Sequence, residues 1–493
     1  MRGPTSVAIL LAATLLAAVS LTACDDTSDS PGEMGQEGAA STEPVETEAD
    51  VPNVVLVLTD DQDRASVEDM SQLQREVADH GVTFTDAYAT VPECCPSRAS
   101  IFTGQYAHNH GVLSNQPPDG GVDAFDDSNA LPVWLDDAGY TTAYVGKYLN
   151  GYGWRALGND PTEIPAGWDE WIAPTEHTEY RMYGYTLNEN GRLFDYGDAP
   201  GDYQTDVLAD HASQLLERYA LNQDPFFLTV APLAPHDEGV LEDSDAPRNP
   251  RPAPRHFGAF DDRGLPDKTS FDEADVADKP AYVSEDPRLD QEGREALLKL
   301  YRSRLESLLA VDDLVGRLVR TLNRAGSLDE TVFIYTSDNG FLLGEHRQVG
   351  KDKVYEESSG VPLIVRGPGF PPGATEEQPV GNIDLVPTIL EATGVEPGVP
   401  SDGVALQAVA GGSSEASRPA LLLELLSEHT YVGVRSGRYV YAQRQRGDAE
   451  LYDLERDPLE LSNFAGRPEY SSIERRLSRL AKQLRDCAGA DCR

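Results

Sequence analysis

Apolar residues in this chain follow two rhythms. Short unbroken runs recur between about residues 52 and 400: Val54-Val55-Leu56-Val57-Leu58, Thr141 to Val145, Phe226 to Val230, Val332 to Thr336 and Pro362 to Val365. A run without polar alternation suits a strand covered on both faces, as in a parallel sheet. Between the runs, apolar residues fall at helical spacing. Leu208, Ala212, Leu215 and Tyr219 form one stripe. Leu298, Tyr301, Leu305, Leu308, Val315 and Leu322 form a longer one that stops at Gly326, a candidate C-cap. The alternation predicts an α/β domain with a mainly parallel central sheet.

The pattern changes from about residue 415. Leu421 to Leu425, Tyr431 to Arg435 and Tyr439 to Gln443 read as short antiparallel strands, with a turn at Ser436-Gly437. Ile473, Leu477, Leu480 and Leu484 predict a terminal amphipathic helix. The expected division is a large catalytic domain over 51–412 and a small α+β subdomain over 413–493. Residues 241–292, rich in Pro and Asp, predict a long loop over the active site.

The N-terminus has a different character. Arg2 precedes the apolar stretch Val7 to Leu21, which is too short to span a membrane comfortably. It ends in Leu21-Thr22-Ala23-Cys24, which resembles a bacterial lipobox. The expectation is a signal peptide over 1–23 and a lipidated Cys24. An exported bacterial lipoprotein would then be anchored to the outer face of the cell membrane. An ordinary cleaved signal peptide is the alternative. Residues 24–50 are acidic, and no Lys or Arg occurs between Arg2 and Arg64. Such a segment predicts an extended, disordered tether.

Charge narrows the partners. The formal net charge of -44 repels nucleic acid and anionic lipid, so no nucleic-acid partner is expected. It also weighs against a long polyanionic glycan, unless a local basic pocket overrides it.

Polar residues follow the predicted strands: Asp60-Asp61 after the first, Lys147 after Val145, His236 after Val230, and Ser337-Asp338-Asn339 after Thr336. Ligand sites of open α/β sheets gather at such strand ends. The carboxylates and amide are hard oxygen donors suited to Ca²⁺ or Mg²⁺, with no His and Cys cluster suggesting zinc. Among the cysteines, Cys487 and Cys492 either close a small disulfide loop or remain a free pair. Neighbouring Cys94 and Cys95 are poorly placed to bridge each other, because that ring strains the intervening peptide.

Cys94-Cys95-Pro96-Ser97-Arg98 leads into Ala99-Ser100-Ile101-Phe102-Thr103-Gly104. Pro96 suits a first helical turn, where a missing N–H costs nothing. The helix tip and Arg98 would then aim positive charge at an anion. This Cys-x-Pro-Ser-Arg run resembles the signature of the type I sulfatases, in the alkaline phosphatase superfamily. The resemblance extends over about 52–465. It includes Gly146-Lys147-Tyr148-Leu149-Asn150, Ala234-Pro235-His236, Gly344-Glu345-His346, Gly350-Lys351 and Leu451-Tyr452-Asp453-Leu454. It implies an alkaline-phosphatase-like α/β/α sandwich with a small C-terminal domain of antiparallel sheet and helix. It also implies that a formylglycine-generating enzyme oxidises Cys94 to formylglycine. Asp60, Asp61, Asp338 and Asn339, with the oxygen of residue 94, would hold one metal, Ca²⁺ in preference to Mg²⁺. Arg98, Lys147, His236, His346 and Lys351 would serve catalysis.

The implied reaction is hydrolysis of sulfate monoesters through a formylglycine hydrate. The substrate would be an O-sulfated sugar such as N-acetylglucosamine 6-sulfate, or an aryl sulfate. The Cys-Cys form, Gly-Lys-Tyr-Leu-Asn and His108-Asn109-His110 are closest to N-acetylglucosamine-6-sulfatase-like members. His108 and His110 either line the pocket or sit in a loop after the signature helix. One position departs: Leu149 stands where many arylsulfatases have His. Two alternatives remain, a phosphonate or phosphate ester hydrolase of the same superfamily and an inactive sulfate-binding lipoprotein.

Overall fold

The computed structural model describes residues 51–222, 224–239, 249–413, 416–427, 430–445 and 447–493. The expected signal peptide, Cys24 and the acidic tether lie outside the described residues. A ten-stranded sheet forms the centre. Its inner strands run parallel in the order Thr331–Ser337, Asn53–Thr59, Phe226–Ala231, Thr141–Gly146 and Glu170–Pro174. The flanks are mixed. Leu363–Arg366 pairs antiparallel with Thr331–Ser337, and the hairpin of Thr186–Glu189 and Arg192–Asp195 extends the other edge. The apolar run at 362–365 is thus a buried strand, but an antiparallel one. Continuous burial, which the run reports, does not encode strand direction.

The unbroken runs arise because both faces of each inner strand are covered. Val54, Leu56, Leu58, Val332 and Ile334 enter one core with Ile101 and Phe102 of the helix Cys94–Thr103. Val55, Val57, Phe333 and Tyr335 enter the other, with Leu208, Leu215, Leu308 and Leu318 of the helices Gln204–Asn222 and Gln291–Ala325. Successive side chains of a strand point to opposite faces, so a central strand needs apolar residues at every position. Each fully buried Val, Leu, Ile or Phe contributes about 1.5–3 kcal/mol relative to exposure. The result is an α/β/α sandwich.

The long helix starts at Asp290, whose side chain accepts from the Gly293 N–H at 2.8 Å, and stops at Gly326 in the left-handed region. Of the stretch 241–292, residues 241–248 lie outside the described residues. Charged side chains of the described part pair with the long helix and its surroundings. Arg255 pairs with Asp313 at 2.8 Å, Asp272 with Arg288 at 3.1 Å, and Lys268 with Glu345 at 2.6 Å.

The C-terminal sheet is antiparallel throughout: Leu421–Leu425, Tyr431–Ser436, Tyr439–Arg444 and Ala449–Asp453. Helix Ser471–Leu484 buries Leu477, Ala481 and Leu484 on one side. Cys487 and Cys492 are joined by a disulfide. The core of this small domain also takes in Tyr88, Tyr106 and Tyr355, and Val51–Arg493 forms one compact unit. No helix among the described residues is long and apolar enough to cross a membrane.

Candidate active site

The helix Cys94–Thr103 begins after Glu93, an extended residue whose side chain does not cap the helix. The Cys95 N–H donates instead to Asn115 Oδ1 at 2.8 Å. All ten helical residues are buried. The helix stops at Gly104 with φ +69°, where a Cβ would lie 2.8 Å from Ser401 Oγ and 2.9 Å from Val386 Cβ. Both the left-handed backbone and the close approach require glycine. The Thr-Gly ending of the signature therefore seats the helix, and its tip carries Cys94 to the strand ends.

Four groups surround the Cys94 sulfur. Lys351 Nζ lies at 2.7 Å, Asp60 Oδ1 at 3.5 Å, Lys147 Nζ at 3.9 Å and Asp61 Oδ1 at 4.0 Å. Burial pushes the thiol well above its ordinary pKa, although Lys147 and Lys351 oppose the shift. An unmodified Cys94 therefore holds its proton and is a poor nucleophile.

The oxygen donors come from two parallel neighbours. Strand Asn53–Thr59 ends in Asp60 and Asp61, and strand Thr331–Ser337 ends in Asp338 and Asn339. Asp61 turns into the left-handed region at φ 65°, which Asp tolerates better than most residues. Its N–H donates to Asp338 Oδ1 at 3.0 Å, and Asn339 Nδ2 donates to Asp61 Oδ1 at 2.8 Å. Arg98 is fully buried; its Nε donates to Asp338 Oδ2 at 2.8 Å, and its Nη1 reaches the carbonyl oxygens of Lys147 and Tyr148. Lys147 donates to Asp60, and Lys351 to Asp61. Burial raises the Asp60 pKa, but Lys147, His236, Arg98 and Lys351 together outweigh it and hold the carboxyl ionised. His236 completes the ring, with Nε2 3.5 Å from Asp61 Oδ2 and Nδ1 2.8 Å from Asp237 Oδ1.

Comparison with known proteins decides the family. The model described as Sulfatase matches residues 52–395. The model described as N-sulphoglucosamine sulphohydrolase, C-terminal, matches residues 344–487. The chain belongs to the sulfatase family. It is 33% identical to an arylsulfatase of Volvox carteri over 504 residues, covering 90% of this chain and 75% of that relative. It is 32% identical to the N-acetylglucosamine-6-sulfatase of Homo sapiens over 490 residues, covering 90% of this chain and 86% of the relative. Its fold aligns at a TM-score of 0.72 and 25% identity with a structure solved in complex with its substrate D-glucosamine-2-N,6-O-disulfate. That alignment covers 88% of this chain and 97% of the other. This sulfatase is a sulfuric ester hydrolase.

Members of the family generally use a metal and a formylglycine. The donor set here fits one hard divalent cation. Asp60, Asp61 and Asp338 are buried carboxylates, and Asn339 Oδ1 is buried with no hydrogen-bond partner. Such an orphaned oxygen costs about 1–3 kcal/mol, which a cation would offset. A half-turn of the Asn339 amide exchanges its nitrogen for its oxygen beside Asp61. Three carboxylates meet three cations, Arg98, Lys147 and Lys351, so a divalent ion would leave the pocket positive and ready for a sulfate ester.

The remaining expectations divide. Cys94, Arg98, Lys147, His236 and Lys351 converge with Asp60, Asp61, Asp338 and Asn339. None of the contacts of His346 reaches Cys94: its Nδ1 lies 2.6 Å from Glu273 Oε2, and its ring stacks on Tyr355. His108 bonds Glu424 and the Cys487 carbonyl, and His110 bonds Ser100; both histidines lie within the short helix Ala107–His110 that follows the signature helix. Leu149 is buried in the core beside Tyr148. Sequence reading missed Tyr180. Its ring lies 4.3 Å from Lys147 Nζ and 4.8 Å from the His236 ring, and its hydroxyl donates to Asn150 Oδ1 at 2.9 Å. It sits in the irregular run Glu176-His177-Thr178-Glu179-Tyr180, where the one signal is an aromatic residue in a polar turn. Arg304 was missed too. It donates to the backbone oxygens of Asp61 and Pro235 from inside the long helix, and so fixes the Asp61 turn.

Proposed function

We propose that residue 94, converted to formylglycine by a formylglycine-generating enzyme, is the nucleophile of this sulfatase. We further propose Ca²⁺ as the metal held by Asp60, Asp61, Asp338 and Asn339. The observation that carries the reading is a buried, protonated Cys94 on a helix tip amid these oxygen donors and two lysines. The thiol itself is unsuited to attack, while its position is the one a nucleophile needs. When bound, the metal supplies Lewis-acid polarisation of a sulfate oxygen.

The chain's own residues do the rest. One hydroxyl of the hydrated aldehyde loses its proton and attacks sulfur, and the S–O bond to the alcohol breaks. Arg98, Lys147 and Lys351 offset charge on the sulfuryl oxygens. His236 or Lys351 donates a proton to the departing oxygen. The second hydroxyl then gives up its proton, the C–O bond to sulfate breaks and the carbonyl returns. A serine could be sulfated but has no second hydroxyl with which to expel sulfate.

We infer a short 6-O-sulfated glucosamine-type sugar as substrate, from the activity named for the human relative and the ligand of the aligned structure. The net charge of -44 favours such a small ligand over a long polyanion. The N-terminal sequence supports an exported lipoprotein held at the outer face of the membrane through Cys24. The test combines two measurements. Mass spectrometry of the peptide spanning residues 94–98 should show conversion of Cys94. Turnover of N-acetylglucosamine 6-sulfate should exceed that of an aryl phosphonate ester; the opposite ranking would overturn the substrate reading.

A further inference from the structure

His346 leads to a different cluster. Its ring is fully buried, Nδ1 bonds Glu273 Oε2, and Nε2 has no hydrogen-bond partner. A carboxylate on one ring nitrogen fixes the tautomer and leaves a lone pair on the other, the arrangement that orients metal-ligating histidines. Glu460 is 1% exposed. Its Oε2 accepts the Glu356 N–H at 3.0 Å, while Oε1 is buried without a partner. Glu357 is the third member: one ligand atom from each of His346, Glu357 and Glu460 lies within 4.8 Å of the others.

Charge around the cluster is unbalanced. Four carboxylates, Glu273, Glu345, Glu357 and Glu460, face two ammonium groups, Lys268 and Lys279. Lys268 Nζ is 2.6 Å from Glu345 Oε1 and 2.8 Å from Glu357 Oε1. Lys279 Nζ donates to the Glu460 carbonyl and lies 4.0 Å from Glu273 Oε1. Among these six groups the carboxylates outnumber the ammonium groups by two. Arg347 donates to the carbonyl oxygens of Glu273, Ala274 and Asp286, so its fork is committed outside the carboxylates.

We propose that His346, Glu357 and Glu460 form a second cation site, separate from the one at Asp60, Asp61, Asp338 and Asn339. An imidazole nitrogen with two carboxylates suits Zn²⁺ better than an all-oxygen cage suits it. Ligands about 2.0 Å from a tetrahedral ion stand about 3.3 Å apart, so the three groups close inward by roughly an ångström on binding. His346 and Glu357 belong to the large domain. Glu460 follows the last strand of the small sheet, Ala449–Asp453. The ion therefore ties the small domain to the large one, and its role is positioning.

The test uses the full chain, stripped by chelator and reloaded with Ca²⁺ and Zn²⁺ together. Elemental analysis should find two ions per chain in the wild type. It should find one in His346→Gln, one in Glu460→Gln, and one in a D60N/D338N double variant that has lost the other site. A second measurement needs no variant: crystals of the zinc-loaded wild type should show an anomalous peak bounded by His346 Nε2, Glu357 and Glu460. Absence of that peak overturns the proposal, as does a D60N/D338N protein that is folded but metal-free. In either case Glu460 carries a proton instead of facing a metal.

Discussion

The ammonium of Lys351 lies 2.7 Å from the sulfur of Cys94 and also binds the carboxylate of Asp61, closing a gap of 257 residues in sequence. Lys351 thus touches both the proposed nucleophile position and a metal-ligand candidate. Burial alone would strip its proton, but the carboxylates of Asp61 and Asp60 outweigh that and keep it charged. In the proposed mechanism its positive charge would stabilise negative charge developing at residue 94.

Replacing Cys94 with Ser should lower kcat by about 10³-fold or more. The thermal midpoint should stay within about 2 °C, because the change removes little volume and no ion pair. Steady-state turnover and calorimetry check both halves. Full activity in this variant would falsify the formylglycine mechanism.

Chelation should abolish turnover, and calcium should restore it. The donors at Asp60, Asp61, Asp338 and Asn339 are all oxygen, which favours a hard ion. Activity assays on stripped protein, repleted with single metals, check this. Recovery with zinc but not with calcium would contradict the metal assignment.

Arg98→Met should destabilise the fold by about 3–5 kcal/mol, measured by urea unfolding. Arg98 and Asp338 form an ion pair with no exposed side-chain surface on either partner. Removing the guanidinium strands the Asp338 charge in the core. A loss under about 1 kcal/mol would mean that water or another cation reaches Asp338.

His110 should make the protein acid-sensitive. Burial, then His108, lowers its pKa from 6.5 to about 3. Its Nδ1 accepts the Val112 N–H at 3.1 Å, so protonation breaks that bond. A depressed pKa in the folded state means that the unfolded chain takes up the proton first. The stability it contributes is complete above pH 6.5 and drains away as pH falls toward 3. The loss is on the order of 2 kcal/mol, below the full shift, because the residue keeps some contact with water. Urea titrations at pH 7 and pH 4 should show His110→Asn losing less stability than the wild type. Equal losses would refute the assignment.

The inner strands were legible because burial on both faces forces unbroken apolar runs, as at Val54 to Leu58. The long helix was legible from its stripe and from Gly326. Its first turns were not, since Gln291 to Glu295 are polar and rest on the Asp290 cap rather than on packing. The flanking strand Arg192–Asp195 is exposed at all four positions and carries no such pattern. At the site, the strand-end carboxylates and the signature stood out as local sequence. Tyr180 and Arg304 did not, because they act through contacts made by a turn and a helix far away in the chain. The cluster around His346 was illegible for the same reason: Glu273 and Glu460 join it from separate loops.

Only 1% of the Cys94 surface is open to solvent. No second protein can grip a side chain packed that deeply. Any enzyme that rewrites this thiol must meet it on the nascent, still-open polypeptide, ahead of sheet closure. If conversion of Cys94 is required, molecules that fold too early would keep the sulfur, and the active fraction of a preparation would record a race between tailoring and folding.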